Sequence, residues 1–466
     1  MAFNSQDSIS RQIILLSAPI ILSQLSRVVM SLADMAMVGH LGADALAATG
    51  MGSLVLWIVS SMGIGMRTAV QAVSARRFGE RAYSKCTRSL WTGTFLVLCI
   101  GLPFSLLGIS FCKEISNLFL NDVHVASYCS DYIFIGSFGI LFVMQGFVFQ
   151  GFYVSIKETK IHMMVTIFSN IINIYLNAAL IYGSQGIIEF FINLNLPWVA
   201  YLWTWSPFPA MEVKGAAIAP VISFIWMVVH YYLYLHKERI KIFIPFDLQI
   251  SFKDVVQQVK LGFPIGLQEM FTMIAFSIFY RIVGIIGILE LATSEIILNI
   301  AHASFMPAVG IGMAGATLVG NYLGEKKPDK AEEAIKESIK WSFIFMGTMG
   351  TVFIIIPELI ISMFTNNLEI IYLGTPCLRI IGILQFFDAI GLTLFFILPA
   401  AGNSRFPAVI NASICWFLFL PLSYYLGIIM DMGIFGAWIA FAAWIVPFAI
   451  IMALKVSTGS WKSIDV

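Results

Sequence analysis

Charge is what this sequence has least of. Only 11% of its residues are Asp, Glu, Lys or Arg, against about 25% in soluble domains. With 59% hydrophobic residues over 466 positions, a water-soluble fold would have to expose an oily surface. The main solvent is therefore lipid. The formal net charge is +1, so no basic field marks a nucleic-acid partner. The six cysteines are far apart and form no CxxC pair, which leaves neither a zinc site nor a disulfide framework and implies small core residues. Walker A, HExxH and GxSxG patterns are absent and the six histidines do not cluster. ATP-driven pumping and hydrolysis therefore have no signature here, and the chain is not expected to be an enzyme. The polar opening MAFNSQDSISRQ precedes an apolar run too long for a signal peptide, without a cleavage site. The first helix is expected to stay.

What is present is a series of long apolar runs. A spanning helix needs about 20 mostly apolar residues. Twelve runs qualify, near 14–38, 50–74, 89–111, 130–152, 162–183, 215–235, 261–288, 296–320, 340–362, 375–400, 406–428 and 434–454. The loops between them divide the basic residues unequally. Of the 27 Lys and Arg, 21 fall on one side, between Arg11 and Lys462, and only Lys113 and Lys214 on the other. The remaining four, Arg27, Arg67, Arg281 and Arg379, lie within spans. Positive residues favour the cytoplasmic side, which places both termini and the 236–260 linker there, in a cell inner (plasma) membrane. Segment 184–214, with Pro197, Trp198, Trp203, Trp205, Pro207 and Pro209, then falls outside. Aromatic residues gather at headgroup level, so it reads as an interfacial flap, with a lid over the substrate path as the alternative.

The chain also repeats itself at an offset of 245. LSAPIIL at 16–22 matches LGFPIGL at 261–267, aligning Pro19 with Pro264. FGE at 78–80 falls on LGE at 323–325, and IKETK at 156–160 on AGNSR at 401–405. Gly183 and Gly427 close the fifth span of each half. The offset then drops to 221, pairing Gly215-Ala216 with Gly436-Ala437, and the flap accounts for the difference. Six spans is an even number, so both halves enter the bilayer the same way round. The expected fold is an all-α integral membrane protein of two six-helix bundles related by a pseudo-two-fold axis along the membrane normal. The halves would be 1–235, with its flap, and 261–466, joined by the linker 236–260. Such halves enclose a central cleft and can rock about it, which implies a transporter, with a monomer as the working unit in contact with membrane lipid.

A charge at the bilayer centre costs about 2.5–3.5 kcal/mol on insertion scales, so acids within spans are candidate sites. Asp34 lies in span one, Glu269 in span seven and Asp388 in span ten. Glu269 is nine residues past Lys260, about 13 Å at the helical rise. Asp388 is midway along its span. Both are expected to face one cavity, where adjacent negative charges favour a shared proton or attract Na+. The alternative is bracing by in-membrane arginines, but Arg27, Arg281 and Arg379 are too distant along their own helices for direct pairing. Asn170, Asn173 and Asn177 share one face of span five and offer donors and acceptors, either as cavity lining or as bonds between helices. Gln385, beside Asp388, is a further lining candidate. The 22 Met and 39 Phe residues would supply the adaptable walls a promiscuous cavity needs.

These stretches resemble the multidrug and toxic compound extrusion (MATE) family of cation-coupled antiporters. APIILSQLSRVVMSLADMAMVGHLGADALAA is similar to that family's first helix and FMPAVGIGMAGATLVGNYLGE to its eighth. FFDAIGLTLFFILPAAGNSRFP is similar to its tenth helix and the loop after it. Within the family the resemblance is nearest the NorM-type branch, which implies ion-coupling roles for Asp34, Glu269 and Asp388 and export of amphipathic, often cationic drugs. The DinF-type branch carries an Asp in its fifth helix where this sequence has Asn177. NorM-type sodium sites can include a Tyr one turn before the tenth-helix Asp, where this sequence has Leu384. Around Asp388 the only neighbouring side-chain oxygen is that of Gln385, whereas a hard cation wants several. Protons are therefore the expected coupling ion and sodium the alternative; no other cofactor is implied. Two other readings are a lipid-linked precursor flippase, whose cleft should hold more Arg and Lys, and a channel-like or structural membrane protein.

Overall fold

The computed structural model of the chain describes all residues except 1–7, 194, 196, 206, 245–246 and 465–466. The first seven residues of the polar opening, two linker positions and three flap positions read above thus lie outside the described residues. Among the described residues twelve helices are long and apolar enough to cross a membrane: α1 Ile9–Gly39, α2 Ala43–Gly79, α3 Tyr83–Ser110, α4 Val123–Ser155, α5 Thr159–Asn193, α6 Glu212–Leu235, α7 Phe252–Ile286, α8 Ile288–Gly324, α9 Pro328–Ile355, α10 Leu368–Ala400, α11 Arg405–Ile429 and α12 Gly433–Ser457. No strand occurs among the described residues. All backbone polar groups of a lipid-embedded chain must be satisfied within it, and helices do this segment by segment.

The repeat is written into the backbone. Residues with left-handed φ recur at the offset of 245: Arg81 (60°) with Lys326 (59°), and Lys157 (65°) with Gly402 (95°). Glu212 (50°) and Gly433 (59°) recur at 221. Asp122 caps α4 through the amides of His124 and Val125, and Asn367, 245 residues on, caps α10 through that of Glu369. Contacts between the two bundles obey the same rule. Gly65 of α2 lies against the backbone of Gly262 and Gly266 on α7, while Gly310 of α8 lies against Ser17 and Ile21 on α1. Each residue of the first crossing maps onto one of the second. Farther along, Gly79 meets Asn321 and Gly324 meets Arg76, again mapping onto one another. Ala75 touches Gly320, its own repeat mate, so the pseudo-two-fold axis passes between them.

These contacts all sit toward the Lys/Arg-rich face. There α2 is buried without a break from Met66 to Arg76, and Gln71 donates to Met313 O (2.8 Å) and Thr317 Oγ1 (3.0 Å) across the interface. Farther from that face the packing loosens: α1 has no buried residue between Leu25 and Met37. The bundles therefore meet at one end and leave a cleft toward the other. The 236–260 linker is tied to the first bundle. Thr87 Oγ1 donates to Phe243 O (2.6 Å) and Arg88 Nε to Asp247 Oδ2 (2.9 Å); this hydrogen bond holds the Asp247 carboxyl below its ordinary range.

Two expectations need correction. Segment 184–214 is not a loop throughout. Gly183 (φ 74°, ψ 157°) breaks α5, and a second helical stretch runs on to Asn193. The apolar residues Ile187, Ile188 and Phe191 give that stretch a face to pack on. The cysteines are not all interior either: Cys99 is exposed and Cys112 half-buried. The rest of the flap folds back onto α5. The Trp203 indole stacks on Tyr175 (5.1 Å) and Phe191 (5.5 Å), and Trp205 Nε1 donates to Tyr175 Oη (2.7 Å). Trp203 is 6% exposed, and truncating a buried Trp costs about 3–5 kcal/mol. Trp203→Ala should release the flap, raising the rate of limited proteolysis between 197 and 211 by about 100-fold, since 1.4 kcal/mol is a factor of ten. An unchanged cutting rate would mean that the stack does not hold the flap.

Candidate functional site

The spans place polar groups at two levels. The outer level lies within the first bundle. Asp34 on α1 accepts a hydrogen bond from Asn177 Nδ2 on α5 (2.6 Å), and the same amide reaches Asn173 Oδ1 (3.2 Å). One turn deeper on the same face, Asn170 Nδ2 donates to Ser26 Oγ (2.7 Å). The expected asparagine stripe thus exists, and it zips α5 to α1. Asn173 and Asn177 are 1% exposed and Asp34 is half-buried, so the carboxylate is less enclosed than the two amides that accompany it. Tyr132 on α4, whose hydroxyl accepts from Ser53 Oγ of α2 (3.1 Å), lies within electrostatic reach of Asp34. Sequence reasoning did not single out Tyr132 or Ser53, because nothing local in α2 or α4 refers to α1.

The inner level is the apex of the cleft. Gly262, Gly266 and Glu269 follow one another at helical spacing on α7. The two glycines are pressed against α2, so Glu269 stands one turn beyond the crossing, where the bundles separate. Its repeat mate is Gln24 on α1, which is 8% exposed, with Oε1 lacking a hydrogen-bond partner among the described residues. The charge facing Glu269 comes from Arg67 of α2, two residues past Gly65 and within electrostatic reach of it. Arg67 was visible only as one of four basic residues within spans. The repeat held a usable signal: once Gly65 aligns with Gly310, Arg67 falls at the height where Glu269 begins the divergence. Arg281 and Arg379 are exposed, and Arg379 faces Glu358 at 4.0 Å, so neither braces the inner acids.

Asp388 is half-buried on α10. Among the described residues neither it nor Glu269 forms a hydrogen bond, and no charge interaction joins the two. The two acids thus share no hydrogen bond in this structure. Gln385, expected as lining, is packed inside the second bundle, 1% exposed, donating to Ser304 Oγ on α8 (2.8 Å). Its Cβ packs against Gly350 of α9, so the side chain is taken up by contacts with α8 and α9. A sodium site at Glu269 and Asp388 would have to draw oxygens from elsewhere. Among the described residues no cluster of three or more His, Cys, Asp or Glu could hold a metal.

The decisive comparison concerns the repeat. The MatE family model matches residues 19–179 and again 264–425, one match in each bundle. The chain belongs to the MatE family. A protein called probable multidrug resistance protein NorM from Thermotoga maritima is 28% identical over 465 residues, covering 97% of this chain and 93% of that one. A multidrug resistance protein NorM from Burkholderia vietnamiensis is 25% identical, covering 94% and 92%. Among solved structures, the chain is similar to a multidrug resistance MATE family transporter of the MOP superfamily in an outward-facing conformation, with a TM-score of 0.84 at 17% identity and 98% coverage of both chains. A eukaryotic MATE transporter gives 0.81 at 19% identity, covering 97% and 96%. This MatE protein is thus a multi-pass membrane protein with the family's two-lobe fold.

Proposed function

We propose that this chain is a monomeric, ion-coupled antiporter that exports amphipathic or cationic drugs and toxic metabolites by alternating access, and that it is not an enzyme. The lobes would be 1–235 and 261–466, hinged by the linker 236–260. The basic face would be cytoplasmic, with both termini on the cytoplasmic side of a bacterial inner membrane, because it carries nearly all loop Lys and Arg. The observation that carries the reading is the placement of Glu269 at the point where two repeat-related lobes part. A group there is buried when the lobes close around it and reachable when they open. Its ionic state therefore couples to the conformation. Asp388 would act in the same lobe, and Asp34 with Asn177 would form a second ion-responsive contact between α1 and α5.

Transport requires that ion and substrate favour different states or compete for one. Proton coupling is the better fit, since among the described residues no group of three or more His, Cys, Asp or Glu that could hold a metal includes Glu269 or Asp388, and a small hard cation needs several oxygens. The test uses purified protein in liposomes loaded with a lipophilic cationic dye, under separately imposed proton and sodium gradients. Efflux should follow the pH gradient and persist without sodium. Strict dependence on sodium at constant pH would overturn the proton assignment. Dye movement indifferent to both gradients would overturn antiport and favour a channel.

A further inference from the structure

Away from the cleft, the basic face carries a groove of about 810 Å3 between the lobes. Arg77 of α2 and Lys85 and Arg88 of α3 line it from the first lobe, and Lys253 and Lys260 of α7 from the second. Gln258 of α7 ties the two walls together, donating to Ser89 O (2.8 Å) and Ser89 Oγ (2.8 Å) of α3. Among the lining residues Asp254 is the one acid, and its carboxylate already accepts from Ser251 Oγ (2.7 Å). Arg77 pairs with Glu80 and Arg88 with Asp247. Lys85, Lys253 and Lys260 are exposed and form no ion pair among the described residues. Arg88 and Lys260 immediately precede the apolar runs that begin at 89 and 261, so the groove opens at headgroup height.

The linker that runs into this groove is two-faced. Ile240 and Phe243 sink into the first bundle, where the Phe243 ring stacks on that of Phe78 (6.1 Å). Ile242, Ile244, Leu248 and Ile250 are exposed instead, and Phe252, 83% exposed, lines the groove itself. Exposed apolar side chains beside a cationic face are the pattern of a segment lying in the membrane interface. A soluble anion would satisfy only the lysines, and a neutral lipid only the apolar row. An acidic phospholipid satisfies both, with its phosphate on the lysines and its acyl chains against the row. Because the cations come from both lobes, one headgroup would draw the two walls together.

We propose that this groove binds the phosphate headgroup of an acidic phospholipid, with the acyl chains against the exposed linker residues, and that the bound lipid bridges the lobes on their closed side. The site depends on neither the cargo nor the coupling ion. The test uses the full-length protein in neutral detergent micelles, its own cysteines replaced and a bimane label on Ile250→Cys, titrated with phospholipids brominated on their acyl chains. Phosphatidylglycerol should quench the label at a mole fraction at least about 10-fold lower than phosphatidylcholine does. Lys85→Gln/Lys253→Gln/Lys260→Gln should weaken phosphatidylglycerol about 100-fold, at about 5-fold for each basic residue near an anionic lipid. The same variant should leave quenching by phosphatidylcholine and thermal unfolding unchanged, which reports folding. Equal quenching by the two lipids, or an unchanged phosphatidylglycerol midpoint in the triple variant, would overturn the headgroup site. Reversal of the quench by inorganic phosphate at concentrations matching the lipid would assign the groove to a free anion and overturn the lipid. In phosphatidylcholine vesicles, added phosphatidylglycerol should shrink the long-distance population between spin labels on Lys160→Cys and Arg405→Cys. An unchanged distribution would overturn the bridge.

Discussion

Glu269→Gln should reduce gradient-driven efflux to near that of empty liposomes, about 100-fold, while leaving the protein folded. The substitution keeps volume and shape and removes only the ability to carry a charge. Glu269 sits one turn past the Gly262–Gly266 crossing, in the place that opens and closes as the lobes separate. A coupling free energy between ion and substrate amounts to about 1–3 kcal/mol, or 5–150-fold, and a side chain that no longer exchanges an ion forfeits all of it. The alternative is that Glu269 merely offsets Arg67, with which it interacts. In that case Glu269→Gln would destabilise the fold by stranding a buried guanidinium, and adding Arg67→Gln would restore both stability and transport. If the acid couples, the double variant regains stability but not gradient dependence. Initial efflux rates under an imposed pH gradient, paired with thermal unfolding, separate the two. Asp388→Asn is the parallel test in the same lobe and should behave likewise.

The twelve helices were legible because lipid leaves the backbone no choice: an apolar run long enough to span must be helical. Their ends were not. Span seven was read from 261 but begins at Phe252, and span nine from 340 but begins at Pro328. Lys253, Asp254, Lys330, Glu332 and Lys336 are charged and stand outside the apolar zone, yet their backbones continue the helix. Hydropathy reports where lipid ends, and hydrogen bonding extends beyond it. The repeat was legible through short matches such as LSAPIIL with LGFPIGL, and it fixed more than expected, down to the mates that meet at the Gly65 and Gly310 crossings. The pairings that make the site were hidden. Asn177 with Asp34, and Arg67 with Glu269, join residues on different helices, and the second pair joins different lobes. Helical periodicity sets which face a residue occupies and says nothing of its neighbour's identity. That Glu269 and Asp388 face one cavity was inferred from similar depth and a place in one half, and neither fixes the rotation of two helices.

Gly65→Ala should drive the lobes apart at the basic face. A Cβ there would lie 2.5 Å from the amide nitrogen of Gly266 and 2.8 Å from its Cα, distances that real Cβ atoms do not show, and backbone within a helix cannot yield. Overpacking of this kind costs about 1–3 kcal/mol or more. That cost falls only on the state in which this crossing is closed. The equilibrium should therefore move toward the opposite state by about 5–150-fold, and export should fall with it, because a transporter held in one state cannot cycle. The repeat supplies the control. Gly310→Ala faces the equivalent helix, but its nearest contact is the side chain of Ile21, with backbone no closer than 3.2 Å. Ile21 can change rotamer, so the shift should be smaller. Spin labels on Lys160→Cys and Arg405→Cys, exposed repeat mates on the basic face, in a chain with its own cysteines replaced, report the separation directly. A longer-distance population that grows in the order unaltered, Gly310→Ala, Gly65→Ala is the expected result. Identical distributions in all three would mean that the glycine crossing is not the contact that the transport cycle breaks.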